Sequence, residues 1–285
     1  MFASPVSSTR TIKHTHTMSN DSVDLKEYVP KLKKQVSSET YRQTHFDVDD
    51  ERQEQKTFHL SIRKYCKNLP TSTISPICIK GKRCRLYITD RIGASNLKNL
   101  KTLGVTHAVD LSDGSEHHSS SDIEYMRISE HILDKPEYPI VEKIGRKAVD
   151  FISHVLAKKL ENVVVVYCTM GISRSATVTL QYLMDRGMSL KESWKLLKSS
   201  RPFVNPNLGF WEQLSELEKR TTGNITMTTR DYVIAELLEF WPSIGLDFAN
   251  IVADRVLDVP FEDMITGTFL DAAVKSLRMF NTRKK

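Results

Sequence analysis

The chain has 285 residues, 40% hydrophobic and 27% charged, with only 11 Gly and 10 Pro; these proportions exclude collagen-like, mucin-like and wholly disordered classes and allow one domain with long tails or two small ones. The longest apolar run, Val163 to Val166, falls far short of the ~20 residues that cross a bilayer. Lys and Arg number 41 against 35 Asp and Glu, a net +6, which suits an anionic partner without indicating nucleic acid.

The first twenty residues lack acidic groups and are rich in Ser and Thr, a composition close to a transit peptide, but no apolar face repeats at helical spacing and a plain tail is expected. Asp21 to Lys56 is dense in mixed charge and too poor in apolar residues to pack a core of its own. Phe58 to Pro76 reads as a linker. Residues 1–75 are therefore expected to be a disordered tail and linker.

From Ile77 onward short β-branched runs alternate with longer amphipathic ones, the pattern of an α/β layer architecture. Expected strands are Ile77 to Cys78, Leu86 to Thr89, His107 to Leu111, Ile123 to Ile128 and Val163 to Tyr167. Asn96 to Leu103 reads as a short helix stopped by Gly104. Ile140, Ile144, Ala148, Phe151, Ile152 and Val155 recur at helical spacing and predict a long helix facing the sheet. Another helix runs from about Arg174 to Arg186 and stops at Gly187. The next opens with Ser189 and Glu192, spaced as a capping box, buries Leu190, Trp194 and Leu197, and ends before Pro202. Phe210, Leu214 and Leu217 mark one more, ending near Lys219. The predicted fold is a three-layer α/β domain over residues 76–220, with a mostly parallel central sheet flanked by helices.

Beyond Gly223, three amphipathic stretches around Tyr232 to Phe240, Leu246 to Val256 and Ile265 to Phe280 make residues 221–285 a helical C-terminal extension. It is too small to be comfortably stable alone, so it is expected to pack on the preceding domain or on a protein partner. Leu237, Phe240 and Trp241 are read as core, with a partner-binding face as the other reading; the basic residues are not segregated opposite them, which argues against a membrane surface.

The four cysteines, Cys66, Cys78, Cys84 and Cys168, form no CxxC pair and no zinc spacing. They point to a reducing compartment, the cytoplasm or the nucleus, with three inert thiols and one that does chemistry. That one is Cys168. The apolar run Val163 to Tyr167 reads as a central buried strand and leads into Cys168-Thr169-Met170-Gly171-Ile172-Ser173-Arg174-Ser175, after which a helix begins. A short loop between a buried strand and a helix N-terminus points successive backbone N–H groups inward, and the helix dipole adds positive potential. Such a cradle, built from Thr169, Met170, Gly171, Ile172, Ser173 and Arg174, fits a phosphate-sized anion. The same field stabilises the Cys168 thiolate as a nucleophile. Arg174 is placed for a two-pronged contact with phosphate oxygens, and Gly171 permits a tight turn.

This segment resembles the signature of the protein tyrosine phosphatase superfamily, in particular its atypical dual-specificity phosphatases. Three further blocks carry the resemblance: Leu86 to Asp90 through Ala94-Ser95-Asn96 with Leu103 to His107; Tyr125 to Ile128; and Arg201 to Asn207 with Gly209-Phe210. The resemblance implies two-step phosphomonoester hydrolysis. Cys168 would attack phosphorus, Arg174 and the loop N–H groups would hold the oxygens, and Ser175 would hydrogen-bond the thiolate and help it leave. Asp134, 34 residues before Cys168, would be the general acid, with Glu130 and Glu137 as alternatives. No metal or nucleotide is required, and the partner is a phosphorylated protein rather than a nucleic acid or a membrane.

The resemblance departs at Tyr167, where active members usually carry a His that helps orient the loop. Tyr supplies a hydrogen bond but no imidazole, so weakened activity, or a pseudophosphatase that binds phosphorylated proteins without turnover, is the alternative. The loop lacks the lysine of lipid phosphatases, and no tyrosine-recognition loop is evident, so a shallow pocket for phosphotyrosine and phosphoserine/threonine is implied. Lys80, Lys82, Arg83 and Arg85 read as a solvated strand flank rather than a docking patch, and His117 and His118 lack metal-ligand spacing.

Overall fold

The computed structural model describes residues 70–112, 120–128, 131–240 and 245–259. The expectations for the N-terminal tail, Cys66, His117, His118, Glu130, Trp241 and Ile265 to Phe280 fall outside the described residues. Five strands, β1 (Ser75–Ile77), β2 (Leu86–Asp90), β3 (His107–Asp110), β4 (Glu124–Arg127) and β5 (Val164–Cys168), form one sheet in the order β1-β2-β5-β3-β4. The β2-β5-β3-β4 ladder is parallel throughout, and β1 is an antiparallel edge strand. Every residue of β5 is buried, as its apolar run requires of a strand covered on both faces.

Side chains alternate across β5. Val163, Val165 and Tyr167 pack with Ala94, Leu100, Val105 and Ala108 on the side of α1 (Arg91–Ser95) and α2 (Leu97–Thr102). The opposite face is covered by α3 (Arg146–Lys158) and α4 (Arg174–Asp185), with α5 (Leu190–Ser200) beside β1 and α6 (Leu208–Thr222) against α4. Ala148, Val149, Ile152 and Val155 form the buried stripe of α3 that the three-and-four spacing predicts. The three-layer α/β fold and its helical continuation agree with the sequence-based expectation.

Local chemistry sets the boundaries. Ser189 and Glu192 form the predicted capping box on α5. Asn207 caps α6 by accepting from the Phe210 N–H, and Gly223, at φ 78°, ends it in the left-handed conformation. Helix α1 was not expected: Asp90 caps it by accepting from Gly93 N–H at 2.7 Å, so a strand end doubles as a helix start. The long helix is preceded by a π-turn, Val141–Gly145. There buried Gln181 donates to the Val141 carbonyl, which also accepts from the Arg146 N–H, and Gln213 accepts from the Val141 N–H, one of the first-turn donors that a helix leaves unpaired.

Two readings require correction. Cys78 and Cys84 are joined as a disulfide, Cα atoms 4.6 Å apart, across the loop between β1 and β2. Inert thiols were expected at both positions, and the cysteine content therefore no longer argues for a reducing compartment. Arg85 is not merely a solvated flank: it donates to the carbonyls of Leu156 and Lys159, capping the carboxyl end of α3.

The C-terminal extension packs onto the α/β layers. Helix α7 (Thr229–Phe240) buries Tyr232, Val233, Ile234 and Leu237, and α8 (Leu246–Leu257) packs against it. The Tyr232 ring stacks on Trp211 of α6 with centroids 4.0 Å apart and planes 6° from parallel. Trp211 also meets Trp194 of α5 edge-on at 6.4 Å. Leu237 is thus core, as its spacing suggested.

Candidate active site

The carboxyl end of β5 lies between the carboxyl ends of β2 and β3, with Asp90 opposite Cys168 and Asp110 opposite Tyr167. In open parallel sheets this is where ligands bind. Residues 168–175 leave the strand, turn, and enter α4 at Arg174, as the sequence predicts.

Cys168 sits at the base of the loop, buried, with its Sγ 3.2 Å from the Ser175 hydroxyl. The Gly171 N–H donates to the same sulfur at 3.2 Å. The Ser175 hydroxyl and the Gly171 N–H both face the sulfur, and the α4 N-terminus begins directly after the loop. Gly171 has φ +66°, and a Cβ there would lie 2.5 Å from the Thr89 carbonyl and from Arg201 Nη2. Only glycine fits both the conformation and the space.

The turn is held from outside by its carbonyls. In a planar trans peptide the C=O and the following N–H point opposite ways, so a carbonyl fixed outward aims the next N–H inward. Arg201 Nε donates to Gly171 O at 2.8 Å, which aims the Ile172 N–H inward. Asn205 N–H donates to Ile172 O at 2.9 Å, which aims the Ser173 N–H inward. The Arg91 N–H reaches Thr169 O at 3.5 Å, with the same consequence for Met170. The result is a nest of donors suited to an oxyanion.

Arg174 is 4% exposed. Its Nη1 donates to the carbonyls of Leu111 and Ile132, and its Nη2 to Thr169 Oγ1 at 2.9 Å. These bonds fix the guanidinium between the start of the loop at Thr169 and the carbonyls of Leu111 and Ile132. Asp134 faces it, Oδ2 lying 3.8 Å from Arg174 Nε. The other Asp134 oxygen accepts from the Ser173 hydroxyl at 2.7 Å and from Asn207 Nδ2 at 2.8 Å. Cys168, Arg174, Ser175, Asp134 and the loop 169–173 therefore converge on one spot. Glu137 lies three residues beyond Asp134 on the same loop and is exposed.

Three members of this site fall in the block Arg201 to Asn207, which the sequence offers only as part of the resemblance and without a role. Arg201 is fully buried, donating also to the carbonyls of Thr71 and Thr73 at 2.6 and 2.8 Å. Burial lowers its pKa to about 10, partly offset by the opposing charges of Asp90 and Cys168. Asn205 and Asn207 complete the set. Only Asn207 carried a readable signal, as an Asn opening an apolar helix. Tyr167 is buried with the α1 and α2 cluster, on the strand face opposite to that of Cys168.

A strand-end cysteine, inward-facing backbone N–H groups, an arginine and a facing aspartate together form a site suited to a phosphate-sized anion. The pattern of the family described as "Dual specificity phosphatase, catalytic domain" matches residues 86–220, and the chain belongs to this family. It is 33% identical over 143 residues to human dual specificity protein phosphatase 18, covering 50% of this chain and 73% of that one. It is 36% identical over 135 residues to dual specificity protein phosphatase 1 of Arabidopsis thaliana, covering 47% of this chain and 66%, just under two thirds, of that one. The crystal structure of human DUSP28 is also similar, at 27% identity and a TM-score of 0.44, covering 52% of this chain and 93% of that one.

Proposed function

We propose that the protein hydrolyses phosphate esters on phosphotyrosine and phosphoserine/threonine side chains through a cysteinyl-phosphate intermediate. The observation that carries this is the placement of the Ser175 hydroxyl and the Gly171 N–H, each 3.2 Å from Cys168 Sγ at the foot of α4. The Cys168 thiolate attacks phosphorus, and the bond to the leaving oxygen breaks with its electron pair going to that oxygen. Asp134, as the acid, gives it a proton. Arg174 and the inward N–H groups hold the three remaining oxygens as charge spreads over them. In the second step Asp134, now carboxylate, takes a proton from water as the water oxygen attacks phosphorus. Sulfur leaves as thiolate, with the Ser175 hydroxyl donating to it, and inorganic phosphate is released.

The wild-type chain is expected to hydrolyse para-nitrophenyl phosphate, and Cys168→Ser to abolish turnover. Phosphotyrosine and phosphothreonine peptides, both released at measurable rates, would establish dual specificity. A second reading, a pseudophosphatase that holds phosphorylated proteins without turnover, draws on Tyr167 standing where the family usually has His. It predicts no wild-type turnover, phosphopeptide binding that survives Cys168→Ser, and activity gained on Tyr167→His.

A further inference from the structure

The inward aim of the Ser173 N–H depends on the Asn205 backbone, which holds Ile172 O at 2.9 Å. Asn205 is itself fixed from beyond the family-matched residues 86–220. Its Nδ2 donates to Glu236 Oε2 at 3.0 Å, and its Oδ1 accepts from the Tyr232 hydroxyl at 3.1 Å. The same hydroxyl lies 2.9 Å from the Pro206 carbonyl. Glu236 and Tyr232 are four residues apart and share one face of α7.

That face is anchored in turn. Lys198 of α5, 8% exposed, reaches Glu236 Oε1 at 2.7 Å and Glu239 at 3.1 Å and donates to Pro202 O at 3.0 Å. The Tyr232 ring lies flat on Trp211, so its hydroxyl is carried by a rigid stack. The buried Glu236 side chain thus holds Asn205 within the loop 201–207 and Lys198 of α5, which itself bonds that loop at Pro202 O. A helix that served only to cover Trp211 would need apolar groups alone, since a buried charge is costly unless it is paired.

We propose that Glu236 and Tyr232 of α7 are positioning residues for the phosphate cradle, acting through Asn205 on the Ile172–Ser173 peptide. The C-terminal extension is by this account part of the catalytic apparatus. The proposal rests on the phosphatase reading for turnover, and on the cradle alone for anion binding.

The test uses the full-length chain, with orthovanadate affinity by calorimetry and kcat and KM on para-nitrophenyl phosphate. Glu236→Ala is expected to weaken vanadate binding and lower kcat/KM by about tenfold each, the size of one lost hydrogen bond to a charged group. Glu236→Gln, which keeps an acceptor for Asn205, is expected to stay within about twofold of wild type. Val155→Ala in α3, matched for lost melting temperature, should leave vanadate affinity unchanged and so separates positioning from stability. If Glu236→Ala does not fold, Tyr232→Phe keeps the ring stack, removes both hydroxyl contacts, and should weaken vanadate binding about threefold. Wild-type affinity in a folded Glu236→Ala, or in Tyr232→Phe where Glu236→Ala does not fold, overturns the proposal. A wild type that binds vanadate without turnover removes the phosphatase reading and leaves the affinity arm decisive; one that binds no vanadate overturns both.

Discussion

At Gly171 the cradle has no room for even one methyl group. The left-handed φ disfavours any side chain, and a Cβ 2.5 Å from the Thr89 carbonyl must push either β2 or the loop away. Gly171→Ala is therefore expected to displace the N–H that donates to Cys168. Turnover and vanadate binding should fall by at least ~100-fold, the scale of a lost donor that stabilises developing charge. A folded Gly171→Ala with wild-type kcat would show that this N–H is not used. Asp134 makes a different prediction, because its carboxyl group must exchange a proton. Asp134→Asn keeps both contacts to Ser173 and Asn207 available as an isostere, so binding should persist while kcat drops ~10²- to 10⁴-fold for an alkyl leaving group. The drop should shrink for an activated aryl phosphate, whose leaving oxygen needs little protonation. An equal loss on both substrates would move the general-acid role to another group.

Among the elements, α7 combines packing with titration. Burial raises the Glu236 pKa to about 7, with Lys198 pulling against that rise and Glu239 adding to it; Tyr232, whose own pKa burial raises, and the uncharged Asn205 are its other polar neighbours. A carboxyl whose folded pKa lies above its unfolded value of about 4.5 binds more protons in the native state between those limits. Its contribution to stability is therefore complete below about pH 4.5 and is lost as the pH rises toward 7. Glu236→Gln cannot titrate, so the stability of this variant relative to wild type should increase across that window, with a slope of at most about 1.4 kcal/mol per pH unit. Urea midpoints at pH 5, 6, 7 and 8 check this, and a constant difference would refute it. Helix α7 also shows what the sequence made legible. The stripe on α3, the capping box of Ser189 and Glu192, and the apolar run of β5 were readable because each is a local pattern, whereas α7 is buried all round from Tyr232 to Leu237 and not along the single face expected. The Cys168 loop was readable because its signature residues, Cys168, Gly171, Arg174 and Ser175, lie within eight positions, although most of the contacts that hold it come from distant segments. Arg201, Asn205 and the Cys78–Cys84 bond were not read, since their partners are set by how distant segments meet. A fully buried arginine in particular contradicts the residue's usual exposure. The five-residue helix α1 was too short for any periodicity to register.

For the whole molecule, the family pattern ends at residue 220, whereas the packing does not. The boundary expected from sequence near residue 220 follows the Gly223 helix stop, yet α7 returns to cover Trp211 and to neutralise Lys198 with Glu236 and Glu239. A chain ending at Gly223 would expose Trp211 and lose the burial of Tyr232, Val233, Ile234 and Leu237. At ~1.5–3 kcal/mol per large apolar side chain, an upper estimate, the loss is several kcal/mol. For a domain of this size that corresponds to roughly a 10 °C fall in melting temperature. The Lys198 ammonium would lose both carboxylates and move into solvent, freeing the 201–207 loop from its outer anchor. Vanadate affinity should then fall together with stability, and tryptophan emission should shift to the red as Trp211 becomes hydrated. Restoring residues 224–259 should reverse all three. If the shortened chain melts, fluoresces and binds vanadate as the full one does, α7 and α8 are a passive appendage and the cradle is complete within the family-matched residues.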